Sequence, residues 1–270
     1  MMTRAYLFLL VMLLTPLATA GTQCRSLASS PQQVAHATAT AMRVVSALDR
    51  NDAPVALVAR VGTDLSRQRL VYSHAGFVLR DHVDGRWTVL HLLNECGTAR
   101  SGLHAQGLVN FFADDLVNQD ARVVWLQPAL AERLALHLKA LPTNALHETA
   151  YNLIARPGSS EYQNSTAWVL ETLAAAIAMP GLDRREAAYT WAQYDGFSPD
   201  TIHIAYSKRV LGGLFGTNTI FTDHSVGTRL SGNYPIITVR SIVRYLETRG
   251  YVTEQSEWRS GRLLTVPGPA

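Results

Sequence analysis

Two strand-like runs separated by a turn dipeptide constrain this chain more than any other feature. Segments 70–79 and 87–93 are rich in β-branched and aromatic residues, and Asp84-Gly85 lies between them. Asp-Gly favours the left-handed backbone of a two-residue hairpin loop, so the pair predicts antiparallel strands. With Asp84 and Gly85 as the loop, Val83 faces Arg86, His91 faces Val78 and His74 faces Glu95. Opposed residues point to one side of a sheet, so His74, His91 and Glu95 share a face. Alternation along the first strand adds Tyr72, Gly76 and Val78 to that face, with Gly76 leaving open space beside His74. A two-residue widening of the loop on each side keeps this grouping; a one-residue bulge breaks it.

The rest of the chain supplies further strands and amphipathic helices. Segments 55–61 and 121–126 read as strands, and 151–155 as a short fifth one. Helices are expected over 31–48, 130–141, 166–179, 184–194 and 242–249, with apolar residues at Val34, Met42, Val45 and Leu48 on the first. Segment 102–115 reads as a loop leading into a short helix, and the tail after Trp258 as loose. Strand 201–206 and helix 208–215 fall in the last third. No repeat or linker divides the chain. The organisation predicted is an α+β core over 21–180 with an α/β C-terminal extension over 181–270 packed on it.

Residues 1–20 stand apart. Arg4 is followed by the apolar run AYLFLLVMLL, then Pro16 and Ala18-Thr19-Ala20. This is the pattern of a cleavable secretory signal peptide cut after Ala20, and it is too short to span a bilayer. The expected location is the periplasm or the medium, with no integral membrane segment after cleavage. The chain carries 24 Lys and Arg against 21 Asp and Glu, for a formal charge of +3. No basic run is long enough to follow a phosphate backbone, so nucleic acid is not an expected partner. Cys24 and Cys96 are the two cysteines. In an exported chain an even count favours a disulfide, which would stabilise by about 4 kcal/mol for so long a loop. The other reading makes Cys96 a thiolate beside His74 or His91. Zinc-ligand spacings and glycine-rich phosphate loops do not occur, so neither a metal nor a cofactor is expected.

The hairpin offers an imidazole, His74, with His91 or Glu95 to orient it, as a general base requires. Tyr162-Gln163-Asn164-Ser165 leads into the helix at 166–179. Ser165 at that start is either a nucleophile favoured by free N–H groups and the helix dipole or one of three good N-cap residues. Gln163 and Asn164 are the candidate oxyanion or substrate-binding groups, with Tyr72 nearby.

His74-Ala75-Gly76 followed by Asn164-Ser165-Thr166-Ala167-Trp168-Val169 resembles the signature of circularly permuted papain-like hydrolases, the NlpC-like peptidases and lecithin–retinol acyltransferase-like proteins. His91 matches the second histidine of the latter. The resemblance implies a papain-like antiparallel sheet packed on helices, with Ser165 where the family carries Cys. It implies either a Ser/His acyl hydrolase or transferase acting on an amide or ester of the cell envelope, or a degenerate binding module or envelope assembly accessory. A cell-envelope small molecule or peptide is the expected partner. A second resemblance covers nearly the whole mature chain. Tyr72-Ser73-His74-Ala75-Gly76-Phe77, the run from His91 to Ser101, Asn110-Phe111-Phe112, Tyr162 to Ser165 and Asp223-His224 are similar to the exported bacterial family of unknown function 2145. That family implies Gram-negative export and no particular activity.

Overall fold

The structure is a computed structural model that describes residues 29–114, 116–140, 146–178 and 182–264. In chain order its elements begin α1 (Pro31–Leu48), β1 (Val55–Arg60), β2 (His74–Leu79), β3 (Thr88–Asn94), β4 (Ser101–Gly107), α2 (Leu108–Ala113) and β5 (Ala121–Leu126). They continue with α3 (Pro128–Ala140), α4 (Ser165–Ile177), α5 (Arg185–Tyr194), β6 (Asp200–His203) and α6 (Tyr206–Phe215). The last are α7 (Val226–Ser231), β7 (Asn233–Ile236), α8 (Val239–Thr248), β8 (Val252–Arg259) and β9 (Arg262–Leu264).

Every residue of β1 is buried, because helices cover both sides of the sheet that it centres. Val55, Leu57 and Ala59 enter one apolar cluster, and Ala56 and Val58 enter a second. A strand covered on both faces needs apolar residues at consecutive positions, which is why VALVA runs without polar alternation. The sheet has seven strands in the order β4-β3-β2-β1-β5-β8-β9, and each neighbouring pair is antiparallel. The α+β class with a large antiparallel sheet packed on helices is therefore observed. A separate ribbon pairs β6 with β7.

The two covers differ. α1 and α2 lie over the face that carries Val58, Val78, Val89, Val123 and Trp125. α1 starts on a capping box between Ser30 and Gln33, with Pro31 in the first turn where its missing N–H costs nothing. Its buried stripe is Ala37, Ala41, Val44, Ala47 and Leu48, while Val34 and Met42 stay exposed. The stripe is therefore rotated from the expected one: three alanines with Val44 and Leu48 seat the helix on the sheet, and Val34 and Met42 face out. α3, α4, α5 and α8 cover the other face, around Leu57, Phe77, Leu79 and Val124. α4 is buried along its whole length.

Two of the longer strands are absent from the sequence pattern. β4 (SGLHAQG) carries two glycines, and β8 (VTEQSEWR) is largely polar. Each is held by its neighbour's ladder: β4 pairs along all of β3, and β8 pairs along β5 across one irregularity. Segment 151–155 forms no strand; Tyr151 makes only a bridge to Gln163. The region beyond Trp258 turns back into β9. The C-terminal segment thus completes the main sheet, and Trp258 sits in the same cluster as α1.

Ending the chain at Gly250 removes β8 and β9, bares the β5 edge and takes Trp258 from the core. The shortened protein should lose cooperative thermal unfolding and aggregate, as exposed edges do. Circular dichroism melts and size-exclusion chromatography check this outcome.

Candidate functional site

Alternation along β2 decides what its first histidine meets. His74, Gly76 and Val78 point toward the α1–α2 side, and Ala75, Phe77 and Leu79 toward the α4 side. The ladder sets Phe77 opposite Leu90, Val78 opposite Val89 and Leu79 opposite Thr88. This register is displaced by two residues from the one expected, so His91 comes level with Gly76 rather than Val78. Parity survives a shift of two, and His74 and His91 do share a face. The shift reflects a wider loop: Trp87 N donates to Arg80 O at 3.3 Å, so the connection runs from Asp81 to Arg86. Trp87 adopts φ 60°, buries its indole in the second cluster and donates from Nε1 to Asp49 Oδ1 at 2.7 Å.

Gly76 does not leave open space. A Cβ there would stand 2.7 Å from Leu90 O and 2.8 Å from the Cβ of His91. Glycine therefore lets β3 close in and brings the two imidazoles together. His74 Nε2 and His91 Nδ1 are 2.8 Å apart, and His91 Nε2 lies 3.1 Å from Gln106 Oε1 on β4. With the amide oxygen accepting, His91 carries its proton on Nε2, and its Nδ1 accepts from His74 Nε2–H. The remaining nitrogen, His74 Nδ1, is then an acceptor with no hydrogen-bond partner among the described residues. His91 is fully buried, whereas His74 is half-buried.

The row extends to both sides. Arg60 on β1 stands opposite His74, and His104 on β4 stands opposite His91. Four adjacent strands thus present Arg60, His74, His91 and His104 on one face, and Phe111 of α2 lies against the first three. Arg60 is buried, donates to Phe111 O and pairs with Asp114 at 2.6 Å. His74 and His91 stay neutral in this setting. Burial, then the Arg60 charge and His91, hold His74 well below its ordinary value. Burial and Arg60 push His91 down to about 3, against the opposing pull of its bond to Gln106. Among the described residues no group of His, Cys, Asp and Glu is arranged to hold a metal ion.

The other expected site residues are not brought to this row. Ser165 opens α4, whose residues pack on the Phe77 face; Trp168 meets the Phe77 ring at 5.4 Å. The sheet lies between that helix and His74, and His74 contacts His91, Phe111 and Arg60 but not Ser165. Asn164 is the N-cap of α4: its Oδ1 accepts from Ala167 N at 2.9 Å, and its Nδ2 donates to Leu153 O. Gln163 is fully engaged. Its Nε2 donates to Leu146 O and Glu171, and its Oε1 accepts from Glu148 N. Burial pushes Glu171 up to about 7, although Arg185 at 3.0 Å pulls the other way. Both N–H groups of Gln163 are thus spent, whereas Asn164 spends one of its two on Leu153 O.

Glu95 does not face His74. It is exposed beyond the end of β3 and lies 3.7 Å from Arg100. Tyr72 precedes β2 and turns to the opposite cluster, where its hydroxyl meets Ala121 O and Glu257. Ser73 explains the break in alternation: its Oγ accepts from Gly62 N and Thr63 N, so the ladder begins only at His74. Cys96 is exposed in the turn after β3, and Cys24 lies outside the described residues. The residues the sequence did not single out are Arg60, Gln106 and His104. Their signal was weak because two of them sit on the strand that was read as a loop.

The sequence of residues 47–246 matches a family described as an uncharacterized protein conserved in bacteria, DUF2145. No curated protein and no solved structure matches the chain.

Two measurements test the row. Gly76→Ala should lower stability by about 1–3 kcal/mol, as overpacking against a rigid strand does, read from denaturant midpoints. The second is a pH series. Above the ordinary histidine value of 6.5, folded and unfolded chains both hold His91 neutral. As pH falls from there toward about 3, the unfolded chain takes up a proton that the folded chain refuses. Stability should fall by about 1.4 kcal/mol per pH unit across that window from this group alone. His91→Gln should therefore show a shallower acid loss than the wild type; equal slopes would refute the neutral buried imidazole.

Proposed function

The chain belongs to the bacterial DUF2145 family, and we propose that it is an exported binding module of the cell envelope rather than a Ser/His acyl hydrolase. One observation carries the reading. His74 spends Nε2 on His91 and keeps Nδ1 unpartnered, while the serine that would need it as a base sits on a helix covering the opposite face. Nucleophile–base catalysis requires a hydrogen bond between the two, or one made on substrate binding. A papain-like site would place both on one side of the sheet.

What the row offers is recognition. A neutral, half-buried imidazole with a fixed tautomer presents an acceptor, and such a group selects a hydroxyl, amine or amide donor on its ligand. The ligand class is a small molecule or peptide of the envelope that carries such a donor. Export follows from the signal-like residues 1–20, and the same compartment favours a Cys24–Cys96 disulfide. No helix among the described residues is long and apolar enough to cross a membrane.

Native mass spectrometry of the chain from residue 21, incubated with the small-molecule and peptide fraction of bacterial envelopes, tests the reading. Bound mass is expected on the wild type and on Ser165→Ala, and is lost in His74→Ala. A p-nitrophenyl ester assay run in parallel should show no turnover that depends on Ser165. Turnover abolished by Ser165→Ala would establish the hydrolase instead.

A further inference from the structure

A second surface, remote in the chain from the histidine row, is formed by α6 and α7. α6 and α7 expose large apolar side chains at helical spacing: Tyr206 (74% exposed) with Val210 (41%), and Val226 (61%) with Leu230 (79%). Residues four apart lie on one face of a helix, so each helix turns an apolar pair to solvent. Arg209 ties the two together. Its guanidinium lies 5.5 Å from the Tyr206 ring centroid, and it donates to the Arg229 carbonyl on α7.

Charge is segregated in the same place. Between Thr201 and Leu246 the basic residues are Lys208, Arg209, Arg229, Arg240 and Arg244, and the sole acid is Asp223. Asp223 is turned inward, accepting from Ser159 Oγ and Arg156 N. Asp200 neutralises Arg240 and Arg244 at 3.0 and 2.8 Å. Lys208, Arg209 and Arg229 have no acidic partner among the described residues. Apolar side chains raised above a surface beside an exposed unmatched cation, Lys208, with the one acid of residues 201–246 turned inward, suit an interfacial membrane contact.

We propose that the α6–α7 surface docks on an anionic phospholipid bilayer, with Tyr206 and Leu230 entering the headgroup–acyl boundary and the exposed Lys208 meeting a lipid phosphate. Charge complementarity selects this occupant over a second copy of the chain, which would oppose like charges across the contact. The contact is peripheral: the protein lies on the bilayer and does not span it.

Co-sedimentation with vesicles tests the proposal. The chain from residue 21 retains every described residue and lacks the apolar N-terminal run, which would itself partition. It should bind phosphatidylcholine vesicles containing phosphatidylglycerol, bind pure phosphatidylcholine weakly, and release as salt rises. Leu230→Ser should weaken partitioning about tenfold, and Lys208→Gln about fivefold, with far-ultraviolet circular dichroism unchanged because both side chains are exposed. Absence of binding, or variants that bind as the wild type does, overturns the proposal. So does a dimer in light scattering that Leu230→Ser converts to monomer, because the patch would then be a self-interface.

Discussion

Helices on both faces of one antiparallel sheet are the constraint from which the rest of this structure follows. With both sides covered, each strand's two-residue alternation assigns neighbouring side chains to different compartments. Ala75 and Phe77 go to the α4 compartment, while His74 and Gly76 go to the α1–α2 compartment. Residues adjacent in sequence are thereby kept apart by the thickness of a sheet. The same rule that groups His74 with His91 separates His74 from Ser165.

The His-x-Gly spacing has a packing explanation that needs no chemistry. The glycine is required because β3 approaches within a distance that no Cβ tolerates, and that approach seats the second imidazole against the first. Once paired, the rings are desolvated by Phe111 and kept neutral by burial and by Arg60. A buried neutral histidine pair costs little while each proton is donated to an acceptor, and here the chain ends on Gln106. The nitrogen left over, His74 Nδ1, is what makes the row more than a packing device.

The second group of motif residues acts as a frame. Asn94 donates to the carbonyls of Thr98 and Arg100, which shapes the turn into β4. Ser101 N then bonds Thr149 O, and Tyr151 bridges Gln163. Asn152 joins the same region to Ile220 and Asp223. A run of backbone with little regular structure is thus held by side-chain amides and carboxylates, each with its partners satisfied. Gln163, Glu171 and Arg185 continue that frame beneath α4. Such residues look like chemistry in a sequence because polar groups at regular spacings serve both purposes.

Much of the fold was readable beforehand, because local signals and tertiary demands agreed there. Pro31 in the first turn of α1, the apolar run of β1, Asn164 ahead of α4 and the parity of His74 with His91 each rest on short-range sterics or hydrogen bonding. The resemblance to family 2145 is borne out over residues 47–246. β4 and β8 were not readable, since glycine-rich and polar segments become strands only when a neighbour's ladder supplies their partners. The register differs by two residues because the loop spans Asp81 to Arg86, with Trp87 buried at its base, a packing that the Asp-Gly preference does not contain. By itself, then, the sequence determined the main helices, the strands β1, β2, β3 and β5, and which histidines share a side. Tertiary structure alone decided which helix covers which face, and so placed Ser165 away from His74. The physical reason is that side-chain parity is local to a strand, whereas the choice of covering helix is made by apolar surface across the whole sheet.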